Sequence, residues 1–455
     1  MPKHRNEGVR GMRRGLFFLM CVALVALATA CPTPPGTTTP PLYPDGVERI
    51  SLRFDGSQTT DNLATFHRPA VSANGRYVAF DHSGNLVPDD TNGVADVYVH
   101  DRQTGLTELV SVGSDGTLGT RQSSTPAISA DGRFVAFESQ AAEFHPGDAY
   151  QSTDVFVHDR LTGTTTRLSN ASDGGEPNGF SNSPAISADG TKIAYWSGAT
   201  NLTTDGSGVQ YGEDLFVYDM ATGTNARAHL TPGGEPADMQ HHDNVAPASS
   251  ADGRFIAFDS LATNLVPLDT NRFNDVFVHD MVTGSTTLVS KRTDGTQADR
   301  ASLNPRLSAD GRYVVFGSWA DNLTPGPTVG PHVFVHDLVT GETTRESVAG
   351  DGTPADRPTQ FFDISADGRY VSFSTDSTNL AAGDTTGNDR VYVHDRSTGA
   401  TTRVPSTPGF RPSGPSDSHS ISADGRTVVF WSLANNLVPL DTNGVYDLFV
   451  YDLHA

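Results

Sequence analysis

Cysteine is nearly absent: the 455 residues hold two, Cys21 and Cys31, and Cys21 falls inside an apolar run near the N-terminus. If that run is removed on export, one thiol remains and no intramolecular disulfide can form. Stability must then come from a large core, which a chain of this length can build. Basic residues are also few: 31 Lys and Arg stand against 53 Asp and Glu, a formal charge of −22. Lys3, Arg5, Arg10, Arg13 and Arg14 against Glu7 make the first thirty residues +4, leaving −26 for the rest. Such a body repels phosphate backbones, and no basic patch interleaved with aromatics offsets it, which excludes nucleic acid as a partner. The acid excess favours solubility and cation binding but does not speak to fold. Sustained helical periodicity is missing beyond the N-terminal run. So are a Gly-x-Ser-x-Gly elbow, a second domain for a hydrolase triad and phosphate-cradling glycine motifs, so nucleophilic catalysis and nucleotide binding find no support.

What is present begins with an export signal. Arg10, Arg13 and Arg14 precede an almost wholly apolar run over residues 16–28, too short to span a bilayer comfortably and ending in small residues. The run closes on Leu27-Ala28-Thr29-Ala30-Cys31. This resembles the bacterial lipoprotein lipobox, which implies lipidation of Cys31 as the mature N-terminus; Ala28 stands where that motif usually has leucine. Ordinary cleavage after Ala30, leaving Cys31 a spare thiol, is the alternative. Residues 31–46 follow as a Pro/Thr-rich stretch suited to an extended tether between anchor and body. The expected organisation is a signal peptide over 1–30, a tether over 31–46 and one folded body over 47–455.

That body is built from seven copies of one unit. Ser-Ala-Asp/Asn-Gly followed by a β-rich run ending in an aromatic starts at Ser72, Ser129, Ser187, Ser250, Ser308, Ser365 and Ser422, with spacings of 57, 58, 63, 58, 57 and 57 residues. Regular self-similarity of this kind marks a repeat architecture. The second copy predicts four strands: 125–129, 133–138, 154–159 and 164–169. Asp131-Gly132 predicts a type I′ hairpin turn. The second strand is apolar on both faces and should be covered on both; the fourth is polar, as an outer edge should be. Four antiparallel strands per unit with both faces covered predict an all-β fold, a seven-bladed β-propeller. The seventh copy ends after its third strand, and residues 50–56 align without a gap with residues 289–295, a fourth-strand region. The N-terminal strand should therefore complete the last blade and close the ring, where a solenoid would need atypical capping units.

The repeats resemble the WD-repeat-like propellers of the TolB type. That family carries Ser-x-Asp-Gly-x-x-[Val/Ile]-[Ala/Val]-[Phe/Tyr] and then a strand like Asp-[Val/Leu]-[Phe/Tyr]-Val-x-Asp. Here the second element covers residues 96–101, 154–159, 214–219, 275–280 and 447–452, with His332 and Arg390 replacing the leading aspartate in the fifth and sixth copies. The resemblance spans nearly all of 47–455 and departs in blade count, since the best-known periplasmic member has six. It implies fold and an envelope location; the family's cell-division and Pal-binding role does not carry over.

Three sets of residues could carry chemistry. Asp-Thr-Asn-x-x-x-Asp recurs in the loop between the second and third strands as Asp90, Asn92, Asp96; Asp269, Asn271, Asp275; and Asp441, Asn443, Asp447. Oxygens at positions 1 and 3 with a later carboxylate make these candidate calcium ligands, but the closing Glu of an EF-hand loop is missing and four copies are degenerate. The competing role is shaping the turn by bonds to backbone amides. His100, His158, His279, His336 and His394 recur at one position, where Tyr218 and Tyr451 stand in the other two copies; interchange with tyrosine argues for packing with a polar tip. Loops leading into the first strands hold Arg121, His241, His242, Asp243, Arg300, Arg357 and His419, expected at the mouth of the central channel. The leading functional expectation is a non-enzymatic, lipid-anchored binding or scaffold module of the cell envelope. It would be a monomer, held to the membrane by its lipid, with an envelope protein, peptide or wall polymer as partner and no certain cofactor. Two alternatives stand beside it. One is a metal-dependent polysaccharide lyase or hydrolase using His241, His242 and a neighbouring acid; the other is a propeller that binds calcium for stability alone.

Overall fold

The computed structural model describes residues 43–61, 67–145, 152–204, 212–239, 245–267, 269–326, 330–384 and 387–453. The signal peptide, Cys31 and most of the tether lie outside them, as do His241, His242 and Asp243. The described chain forms seven four-stranded antiparallel sheets. Blade two shows the plan with strands Ser123–Ile128, Phe134–Ser139, Asp154–Asp159 and Thr164–Arg167, paired in that order. The third strand begins and ends where the motif predicts, whereas the first starts two residues early and the fourth ends two residues short.

The apolar run of each middle strand is explained by what covers it. Val135 and Phe137 of blade two pack with Ala79, Val97 and Val99 of blade one. Ala136, Val155 and Val157 pack on the other face with Ile193 and Tyr195 of blade three. Seven such clusters occur, one between each pair of neighbours, and one of them joins Val429, Trp431, Leu448 and Val450 of blade seven to Val78, Phe80 and Tyr98 of blade one. An open row of seven sheets would have six interfaces; the seventh makes a ring. Every blade also pairs an aromatic of its second strand with one of its third, as in Phe137–Phe156 at 5.9 Å, Phe373–Tyr392 at 5.8 Å and Phe430–Phe449 at 6.0 Å. Such pairs contribute about 0.5–1.5 kcal/mol each beyond their buried area.

The N-terminal segment closes the ring as expected, but its strand lies just before the aligned residues 50–56, as the fourth strand Ser285–Leu288 lies just before residues 289–295. Val47–Arg49 pairs antiparallel with Asp447–Asp452, with Val47 opposite Tyr451 and Arg49 opposite Phe449. Ser51 Oγ donates to the Asp447 carboxylate at 2.6 Å and accepts from the Leu448 N–H at 3.0 Å. From blade one, Arg102 reaches across to Glu48 at 3.0 Å and Asp452 at 2.9 Å.

The hairpin turn is not type I′. Gly132 has φ +75°, but Asp131 is not among the residues of positive φ. The N–H of Gly132 donates to Ser129 O at 2.9 Å, so the turn runs through Ala130 and Asp131 with glycine after it. The Asp131 carboxylate instead locks the corner, accepting from Ser129 Oγ at 2.6 Å and from the Arg133 N–H at 2.9 Å. Glycine is required twice over, because a Cβ at Gly132 would lie 2.2 Å from Tyr77 of the preceding blade. These corners also pass backbone bonds around the ring, from Ala73 N–H to Ala130 O at 3.0 Å and from Ala130 N–H to Ala188 O at 2.8 Å.

Candidate functional site

The first strand is an edge of every sheet, and these seven edges enclose a central cavity of ≈ 470 Å³. Its wall is uneven. At the position two residues before the repeated serine, blades one to four place Ala70, Ala127, Ala185 and Ala248, whereas blades five to seven place Arg306, Asp363 and Ser420, all seven lining the cavity. One position earlier stand Pro69, Pro126, Pro184 and Pro247 on the same apolar side, with Phe362 opposite. The charged side of the channel is joined together: Arg68 pairs with Asp363 at 2.6 Å, and its Nε donates to His419 O at 2.9 Å. Asp363 also accepts from the N–H groups of Ile364 at 2.9 Å and Ile421 at 3.0 Å. Arg306 has no such acid within ion-pair distance among the described residues; its Nη1 donates to Ala246 O at 3.2 Å and Pro305 O at 2.8 Å. Burial, with the Arg68 charge beside it, pulls the Arg306 guanidinium down to about 9.

The inner strands are bent as well as lined. Thr125, Ser183, Asn304, Phe361 and Ser418, all at one repeat position, have φ between +35° and +59°. Each sits at a register shift in the pairing of first and second strands, a β-bulge. Non-glycine residues in this region carry strain and cluster at sites that bind or react. The N–H groups freed by the bulge find acids on the preceding blade: Ser183 donates to Glu138 at 2.8 Å and Asn304 to Asp259 at 3.2 Å. No repeated motif announces this layer, although the departures from alanine at Arg306 and Asp363 are visible in the aligned repeats.

The residues expected at the channel mouth fall differently. Loops joining fourth to first strands and those joining second to third strands emerge on one face of the ring, because strands alternate in direction. Arg121, Arg300 and Arg357 share one repeat position there, on blades two, five and six. Arg300 pairs with Asp321 at 2.7 Å and Arg357 with Asp376 at 3.6 Å, while Arg121 is exposed in the neighbourhood of Glu143. Blade two stands apart from blades five and six in the ring, so the three do not form one cluster. His419 is not in a loop: it belongs to the first strand of blade seven, Ser416–Ile421, and is fully buried outside the cavity lining. The seventh copy simply has histidine where most copies have proline. Burial holds its imidazole down to about 3.

The Asp-Thr-Asn loops are internally bonded. In blade one Asn92 Nδ2 donates to Asp96 at 2.7 Å and to Gly119 O at 3.0 Å, while its Oδ1 accepts from the Val94 N–H at 3.1 Å. Asp96 also accepts from Ser111 Oγ at 2.6 Å, and Asp90 accepts from the Tyr98 hydroxyl. In blade four Asn271 Nδ2 donates to Asp275 at 2.7 Å, and Gln297 donates to Asp269 at 2.8 Å. In blade seven Asn443 donates to Asp447 at 2.9 Å, and Arg49 lies 3.3 Å from both Asp441 and Asp447. Burial raises Asp96 and Asp275 to about 6. Among the described residues no group of three or more His, Cys, Asp or Glu is placed to hold a metal ion.

The recurring histidines link neighbouring blades. Nδ1 of His158, His279, His336 and His394 lies 2.8 to 2.9 Å from Thr165, Thr286, Thr343 and Thr401. Each of these hydroxyls donates to a carbonyl of the preceding fourth-strand region, as Thr343 does to Lys291 O at 2.5 Å. A hydroxyl has one proton, so the imidazole must donate through Nδ1. His100 makes the same contact with Thr107 at 2.9 Å.

Fold and channel together define the class: a seven-bladed propeller of four-stranded blades, closed by strands from both chain ends, with TolB-like repeat motifs on its second and third strands. No family model matches the chain, and no curated protein does. Solved structures do. An oligogalacturonate lyase from Vibrio parahaemolyticus superposes with a TM-score of 0.51 at 14% identity, over 89% of this chain and 93% of that one. The β-propeller domain of the Trilobed protease from Pyrococcus furiosus superposes at 0.51 with 13% identity, over 85% and 95%. TolB from Acinetobacter baumannii is matched at 0.42 and 14% identity over 72% of this chain, and the match spans 63% of that protein's length. At these identities the likeness is one of fold.

Proposed function

We propose that this protein is an exported, lipid-anchored, non-enzymatic binding module of the bacterial cell envelope, which engages its partner at the mouth of the central channel. The observation that carries the reading is the asymmetric cavity: repeats that keep their strand cores diverge at the channel wall, in Arg68, Arg306, Asp363 and Phe361. A site of this size that combines an apolar wall with convergent polar groups suits a ligand or a protruding segment of a partner. The acidic body and the Pro/Thr tether support display away from a membrane. In the test, the full chain is cross-linked in cells and recovered from detergent-solubilised envelope. A partner retained by the wild type and lost when Arg300 and Arg357 are both changed to Glu is the expected result; an unchanged partner set would move the interface elsewhere. Changing Cys31 to Ser should release the protein from the membrane fraction. The competing reading, a metal-dependent lyase or hydrolase of an acidic polysaccharide, is favoured by the fold it shares with the oligogalacturonate lyase. It rests on His241, His242 and a neighbouring acid, and new reducing ends from polygalacturonate with added divalent metal would replace our proposal.

A further inference from the structure

The side chains lining the channel include two arginines and one carboxylate, Arg68, Arg306 and Asp363, in a protein whose formal charge is −22. The carboxylate is already engaged. Asp363 takes Arg68 at 2.6 Å and two backbone N–H groups, so it offers little to an incoming cation. Other acids stand behind the lining, on second strands, and each has a partner. Asp81 lies 2.9 Å from His67 Nδ1, Glu138 takes Ser124 Oγ at 3.0 Å and the Ser183 N–H at 2.8 Å, and Asp259 takes the Asn304 N–H at 3.2 Å. Arg306 is different: its hydrogen bonds run from Nη1 to neutral carbonyls, leaving Nε and Nη2 as donors on the cavity wall. A guanidinium presents its donors in a planar fork that matches a carboxylate.

Blades one to four line the cavity with Ala70, Ala127, Ala185 and Ala248 and the prolines beside them, and those of blades one and two stand across the ring from Arg306. We infer that the channel binds a carboxylate-bearing ligand with a small apolar body, its carboxylate on the free edge of Arg306 and its body against the alanine wall. The lowered proton affinity of Arg306 fits this, since an anion would compensate a half-buried cation that has no acid of its own within ion-pair distance among the described residues. The cavity of ≈ 470 Å³ admits either a free organic acid or the C-terminal end of a peptide chain, which share this chemistry. The inference rests on the binding-module reading and adds a ligand class to it.

Isothermal calorimetry on the full chain separates the sources and the failures. The probes are N-acetylalanine and N-acetyl-trialanine, each as free acid and as carboxamide, with galacturonate as a polar acid. The expected result is binding of a free acid that falls about 10- to 100-fold in the carboxamide, and by a similar factor in Arg306→Gln. Binding of both acids marks a small-acid pocket and binding of trialanine alone marks a chain-end pocket; either supports the inference. Equal binding of acid and amide, or no binding at about 10 mM, overturns it, as does binding of galacturonate with the alanine acids inert. The acid–amide comparison is made on the wild type, so it stands even if Arg306→Gln fails to fold. An envelope partner retained while no carboxylate binds would remove this inference and leave the binding-module reading in place.

Discussion

Ring closure converges on Asp447, which makes it the place to test how the two chain ends are held. It opens the third strand of blade seven and is fully buried. Its carboxylate accepts from Ser51 Oγ at 2.6 Å and Asn443 Nδ2 at 2.9 Å, and it lies 3.3 Å from the Arg49 guanidinium. Arg49 and Ser51 belong to the N-terminal segment, so Asp447→Ala strips that segment of its main polar anchor and leaves Arg49 with Asp441 alone. Removing one partner of a buried ion pair costs about 3–5 kcal/mol, and the surviving Asp441 contact argues for the lower end. At about 2.1 cal/mol/K of unfolding entropy per residue over roughly 400 residues, 1 kcal/mol corresponds to about 1.2 °C, so Tm should fall by about 4 °C. The companion variant is Asp154→Ala, at the same repeat position in blade two, where Ser169 Oγ donates at 2.6 Å but all four strands are contiguous in sequence. Both variants should melt early, while limited proteolysis should cut residues 47–53 faster in Asp447→Ala only. Equal protection of that segment in the two variants would refute the reasoning.

Further outcomes follow from the same physics. Burial holds His336 down to about 4, so the unfolded chain takes up a proton below its ordinary value near 6.5 while the folded one does not. Its contribution is therefore complete above about pH 6.5 and is lost as pH falls toward 4. His336→Tyr, copying Tyr218 and Tyr451, should gain stability relative to wild type across that window, by on the order of 2–3 kcal/mol at pH 4, read from urea unfolding; a pH-independent difference would contradict this. Gly368→Ala should destabilise far more than Gly352→Ala. Both have positive φ, +71° and +81°, but the new methyl at 368 would lie 2.2 Å from Tyr313 whereas nothing stands within 4 Å of 352; equal melting shifts would remove the close-approach argument. Saturating calcium should leave Tm unchanged, because the Asn92, Asn271 and Asn443 amides already donate to the loop carboxylates; a rise of several degrees would restore the calcium reading.

Much of the fold was legible because its causes repeat. Seven Ser-Ala-Asp/Asn-Gly corners and seven doubly apolar strands report packing that each blade needs for itself. The closing strand was readable, three residues out of place, because residues 50–56 repeat the segment that follows a fourth strand. The turn type was not, since Asp-Gly is shared by two hairpin corners; the Ser129 hydroxyl and the approach of Tyr77 select the one observed. The bulge at Thr125, Ser183 and Asn304 carries no mark in composition, because polar residues suit both straight and bulged strands. The channel side chains escaped notice for the opposite reason. Arg306 and Asp363 are departures from a repeat, so no recurring pattern points to them. His419 resembles a loop residue in the sequence because first strands begin without an apolar signal.

Docking of the partner on the channel-mouth face can be read out by site-specific photo-cross-linking in cells. A benzophenone amino acid placed at Trp319, 40% exposed on the mouth face, is compared with one at Leu161, 74% exposed in a third-to-fourth-strand turn on the opposite face. Docking on the mouth face should give a discrete adduct from position 319 and none from 161. An adduct from 161 with none from 319 would contradict it.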